Sequence, residues 1–88
     1  MPTISMFYGI IIRMYRGKKE HDPPHFPAYY QDSHATFNVE TSELMEGNLP
    51  NRQIRLVQAW AELHRDELIA DWELAKNDDL PYKIEPLK

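Results

Sequence analysis

Eighty-eight residues without a cysteine exclude a disulfide-stapled scaffold, a thiolate metal site and more than one domain of ordinary size. Residues 1–50 hold four basic and six acidic side chains, residues 51–88 hold six and eight, and the whole chain nets −4. That balance lacks the basic footprint of a dedicated duplex-DNA binder, and no apolar run approaches the ~18–20 residues that span a bilayer.

A chain this short buries only roughly 60–65% of its extended surface. A small core without staples favours a partner chain, either a second copy or another protein. The N-terminus carries no basic, cleavable leader, so a cytoplasmic protein is expected.

Ile4 to Tyr15 reads as one strand, with Phe7, Tyr8, Ile10, Ile11 and Ile12 supplying β-branched and aromatic bulk. Ile10, Ile12 and Met14 point to one face, and Ile11, Arg13 and Tyr15 to the other. "RGKKEHD" (16–22) is a solvated turn, and Pro23 and Pro24 fix an extended exit from it. A second strand spans His25 to Gln31, with Phe26, Ala28 and Tyr30 inward and His25, Pro27 and Tyr29 outward. Pro27 has no N–H to give a ladder, which predicts an edge position for this strand or a donor direction away from its neighbour.

"DSH" (32–34) is read as a turn and "ATFNVE" (35–40) as a third strand, with Ala35, Phe37 and Val39 inward. A short fourth strand fits before Gly47. Asn51 then precedes a helical pattern as its N-cap. At 100° per residue, Ile54, Val57, Trp60, Ala61, His64, Leu68, Ile69, Trp72 and Ala75 share one broad face. Leu56, Leu63 and Leu74 form a second stripe roughly opposite, which a helix lying on one sheet does not need.

An unbroken helix from Asn51 to Lys76 is about 39 Å long, whereas a domain of this size is roughly 30 Å across. The helix therefore either breaks near Arg65 or overhangs and meets another chain. The tail, "NDDLPYKIEPLK", lacks periodicity and is expected to run extended over the surface. The expected fold is α+β: a short antiparallel β-meander of three to four strands packed against a long C-terminal helix. One domain covers 1–88, with a β half at 3–46, a helical half at 51–76 and the extended tail at 77–88.

"HDPPHFPAYY" (21–30) carries the densest chemistry. His21, Asp22 and His25 are of ligand type, but H-D-x-x-H matches no strong ligand spacing, and two prolines prevent a helix from aligning them. No cofactor is implied. The structural reading is a proline-stiffened corner whose histidines bond to backbone or water. A catalytic reading places His25 beside Tyr29 and Arg13, with Tyr15 nearby, a combination able to transfer protons and stabilise phosphate charge in RNA cleavage.

Arg16, Lys18 and Lys19, with Arg13, form the positive concentration of the β half. Arg52 and Arg55 stand in the first helical turn, where the macrodipole disfavours cations. Contact with a phosphate or a partner explains them, as do salt bridges to Glu43 or Glu46, the favoured account.

Taken together, "MPTISMFYGIIIRMY", "HDPPHFPAYY" and "LPNRQIRLVQAWAELHRDELIADWELA" resemble a small bacterial family known as domain of unknown function 4160. The resemblance keeps its order over nearly the whole chain. It implies a small α+β protein encoded beside another small protein, an arrangement associated with toxin–antitoxin pairs. The family's central pattern resembles P-P-H-F-H-A-x-Y, and Pro27 stands where a second histidine is usual, which weakens any two-histidine or metal mechanism here.

Three functions remain open on these residues. The first is an interaction module, as half of a two-gene pair, whose Leu56/Leu63/Leu74 stripe meets a copy of itself or the neighbouring protein. The second is an RNA-binding or RNA-cleaving toxin using His25. The third is a metal-assisted enzyme at His21, Asp22 and His25.

Overall fold

Tyr8 and Gly9 divide the first apolar run into two strands. In the computed structural model, which describes residues 2–17 and 22–88, these two residues take φ of 50° and 78°. Positive φ at both central positions is the two-residue hairpin geometry whose twist matches that of the flanking strands. The single strand expected over Ile4 to Tyr15 is therefore a hairpin of β1 (Thr3–Phe7) and β2 (Ile10–Arg13). β3 (His25–Tyr30), β4 (Ser33–Asn38), β5 (Leu44–Gly47), α1 (Asn51–Leu63) and α2 (Arg65–Lys76) follow. The class is α+β as expected, with five strands instead of three to four and two helices instead of one long one.

The strands form one antiparallel meander in the order β1-β2-β3-β4-β5. β3 is thus the middle strand, not an edge. Its pairing with β2 ends at Ile12 opposite Ala28, one residue before Pro27, so no donor is asked of Pro27 on that side. A two-residue turn at Gln31 and Asp32 sets Tyr30 opposite Ser33 and Tyr29 opposite His34. β4 consequently begins two residues before the expected Ala35, and His34 belongs to a strand instead of a turn. Beyond β4, the Asn38 side-chain oxygen accepts from the N–H groups of Glu40 and Thr41, a local bond that favours a turn over a continued ladder.

The inner face follows the alternation. Ile10, Ile12, Met14, Phe26, Ala28, Ala35, Phe37 and Val39 are buried, and Val57, Trp60, Ala61, Leu68, Trp72 and Ala75 of the helices pack over them. Phe26 stacks on Phe37 with ring centroids 5.7 Å apart and meets Trp60 edge-on.

The helical run breaks at His64 (φ −118°, ψ 26°). The His64 N–H still reaches the Trp60 carbonyl, and its own carbonyl accepts from the Leu68 N–H. The break re-phases α2, so that Asp71 turns inward and Ile69 emerges to 36% exposure. Asp66 and Glu67 in the first turn of α2 and Lys76 in its last complement the macrodipole. Asp78 at φ 62° closes α2, its N–H bonding the Ala75 carbonyl while the Asp79 N–H bonds that of Leu74, the paired bonds of a Schellman cap. Pro50, not Asn51, is the residue preceding α1, a one-residue shift. The molecule measures 33 × 24 × 23 Å, which an unbroken 39 Å helix would have exceeded.

The tail is extended, yet it is part of the core. Ile84 is buried and its N–H donates to the Ile4 carbonyl of β1 at 2.7 Å. The Trp60 indole N–H donates to the Glu85 carbonyl at 2.8 Å. The Tyr82 N–H donates to Asp71 Oδ1 at 2.9 Å, and Leu87 packs against the core.

Candidate functional site on the outer face of the sheet

Helices cover one face of the sheet, and alternation sends every second strand residue to the other. Pairing aligns the outward residues into two rows. Met6 stands opposite Ile11, Ile11 opposite Tyr29 and Tyr29 opposite His34. In the adjacent row Thr3 faces Arg13, while Pro27 faces Thr36 and Thr36 faces Glu46. The face thus carries a cation at one end and a carboxylate at the other.

The cationic end is a built cluster. The Arg13 guanidinium lies 5.2 Å from the centroid of the Tyr29 ring, a cation–π placement. The hydroxyls of Tyr15 and Tyr29 share a hydrogen bond, and the His34 ring centres 6.0 Å from that of Tyr29. Burial pushes the Tyr29 phenol up to about 12, the Tyr15 hydrogen bond adds to this, and Arg13 opposes it. Arg13 Nε is buried without a hydrogen-bond partner, and Arg13 forms no ion pair with any described residue.

His25 is not in this cluster. It shares a face of β3 with Tyr29, but four residues of strand separate them by roughly 13 Å. Its ring packs against Trp72 at 4.9 Å, and its Nδ1–H donates to the Pro23 carbonyl at 2.8 Å, leaving Nε2 as an acceptor. Arg13 and Tyr29 come together, and the histidine beside them is His34 instead of His25. The turn expected at 32–34 hides the position of His34 opposite Tyr29. The signal was available: the alternation Phe37, Ala35, Ser33 runs back in phase and leaves only two residues for the turn.

The anionic end is a cleft of about 390 Å³ lined by Asp22, Pro23, His25, Thr36, Met45 and Glu46. Of the three residues weighed as ligands, Asp22 and His25 therefore share one cleft, and His21 lies outside the described residues. Among the described residues no three His, Asp or Glu side chains stand close enough to hold a metal ion.

The remaining candidates are dispersed. Leu56 is half-buried against the core, Leu74 is half-buried and Leu63 is 72% exposed. The break at His64 separates Leu63 from Leu74, so the three do not present one continuous stripe. Arg16 reaches Asp78 at 3.9 Å, and Lys18 and Lys19 lie outside the described residues. Arg52 and Arg55 are exposed, and the salt bridges expected to Glu43 or Glu46 do not form. Among the described residues no helix is long and apolar enough to cross a membrane.

No curated protein and no solved structure matches this chain. A family model does match, over residues 9–73, and that span takes in β2, β3, β4, β5, α1 and most of α2. The chain, including both ends of its outer sheet face, therefore belongs to the family described as "Domain of unknown function (DUF4160)".

Proposed function

We propose that this protein is an interaction module that binds another small protein through the outer face of its sheet, as one half of a two-gene pair. The observation that carries the reading is the uncovered face itself. Met6 is 62% exposed, and Ile11, Arg13, Tyr15 and Tyr29 are only half-buried. Methionine, tyrosine and arginine are the types enriched at protein interfaces, and a contiguous apolar and aromatic patch rimmed by charge marks an interaction surface. The opposite charges at its two ends supply orientation, since complementary potentials select a partner and its register.

The test is co-expression with the neighbouring small protein, followed by the mass of the purified material in a concentration series. The expected result is a defined hetero-complex that Met6→Glu and Arg13→Glu each abolish while both variants remain folded. Leu63→Glu separates this surface from the helical one. Loss of the complex in Leu63→Glu alone would transfer the interface to the helices, and absence of any complex or self-association would end the reading.

Arg13 over Tyr29, with His34 beside it, favours a second reading, the binding or cleavage of single-stranded RNA. That reading requires RNA binding that weakens steeply with salt and is lost in Arg13→Gln. It further requires His34→Ala or His25→Ala to abolish cleavage, and unchanged cleavage in both would remove histidine from the mechanism.

A further inference from the structure

The two edges of the sheet are treated differently. β1 is covered by the chain's own tail, through the bond from Ile84 N–H to the Ile4 carbonyl. β5 pairs with β4 on one side, and among the described residues no strand pairs with its other side. All four of its residues are exposed, Leu44 at 37% and Met45 at 45%. An open edge presents unpaired N–H and C=O groups and is a template for an added strand.

The chemistry beside that edge specifies what can be added. The cleft bordered by β5 holds the carboxylates of Asp22 and Glu46, neither of which forms an ion pair with a described residue. The His25 Nδ1–H is committed to the Pro23 carbonyl, so in the neutral imidazole the remaining nitrogen is an acceptor. Glu40 and Glu43 lie on the turn that leads into β5. Among the described residues both charges of the cleft are negative, which disfavours a phosphate or an acidic segment. A second copy is opposed too, because pairing β5 with itself brings two sets of Glu43 and Glu46 to one short seam.

We infer that the free edge of β5 and the acidic cleft beside it receive an extended basic segment of a partner protein by strand addition. Main-chain bonds to β5 supply the affinity, and alternate side chains divide the roles. Lysine or arginine on one side reaches Asp22 and Glu46, while apolar residues on the other lie along Leu44. A bulge in the β4–β5 pairing sets Leu44 opposite inward Phe37, while Glu46 stands opposite outward Thr36. This rests on the reading of the protein as an interaction module and names a second element of the surface together with its partner's charge.

The experiment uses the full-length, isotope-labelled chain and a short peptide of alternating lysine and valine. The controls are an alternating glutamate and valine peptide and a lysine and valine peptide interrupted by proline. Expected are chemical-shift changes at Asp22, Thr36, Leu44, Met45 and Glu46, slowed exchange of β5 amides, and no response to either control. The Asp22→Asn, Glu46→Gln double variant is expected to weaken binding roughly tenfold or more, and added salt to weaken the wild type. Absence of binding at millimolar peptide, shifts elsewhere, or equal binding of the acidic peptide overturns the proposal. Protection of β5 amides by protein concentration alone overturns it in favour of a second copy. None of these outcomes touches the Met6 and Arg13 variants, so the outer-face reading stands or falls separately.

Discussion

Gly47 ends β5 at φ 77°, and a Cβ added there would meet the His34 carbonyl oxygen at 2.5 Å. Left-handed strain and a backbone overlap act together, so Gly47→Ala is expected to destabilise by about 2–4 kcal/mol, read as a lower urea midpoint. Asp71 is a different kind of singular residue. It is 2% exposed, one carboxylate oxygen accepts from the Tyr82 N–H, and the other is buried without a partner. Desolvation raises its pKa above the ordinary 3.8 and Glu67 adds to this, against the Tyr82 bond. The folded state therefore holds this proton more tightly than the unfolded state does. The resulting stabilisation is complete below the unfolded pKa and is lost as pH rises through the higher folded value. Unfolding free energies measured across that window are expected to fall with pH in the wild type, and Asp71→Asn is expected to flatten the slope. An equally steep profile in Asp71→Asn would assign the dependence to another group.

At the scale of elements, the tail is the largest departure from expectation. With two prolines and no periodicity, residues 79–88 form neither helix nor strand, since neither tolerates that pattern. The docking of that chain was not legible. It depends on the Trp60 indole N–H, the Ile4 carbonyl and the Asp71 carboxylate, which are distant in sequence. Ile84 is buried at the end of this strap, and Ile84→Ala is expected to cost about 2–4 kcal/mol, measured by denaturant unfolding. A loss within about 0.5 kcal/mol would mark the strap as a surface ornament. The break at His64 is the other element-level outcome. Length alone posed the alternatives, and the geometry resolved them by re-phasing α2 over the sheet.

For the whole molecule, the two faces of one sheet obey different rules. Phe37 is fully buried against Phe26, and Phe37→Ala is expected to cost about 3–5 kcal/mol. Met6, on the uncovered face, is expected to tolerate Met6→Ser within about 0.5 kcal/mol while losing partner binding. Unfolding curves for both variants, beside a binding assay on Met6→Ser, check the contrast. A large stability loss at Met6 would mean that this face serves the fold and not recognition.

The amino-acid sequence by itself determined which residues are inward. Ile10, Ile12 and Met14, then Phe26 and Ala28, then Ala35, Phe37 and Val39 are buried as alternation requires, because side-chain direction is a local property of extended backbone. It likewise determined the helical face bearing Val57, Trp60 and Leu68. Only the tertiary structure decided that Tyr8 and Gly9 turn the chain, that β3 is central despite Pro27, and that His34 takes the place beside Tyr29 expected for His25. Each of these depends on register, which pairing between strands sets and which a shift of one residue reverses. No single segment contains that information.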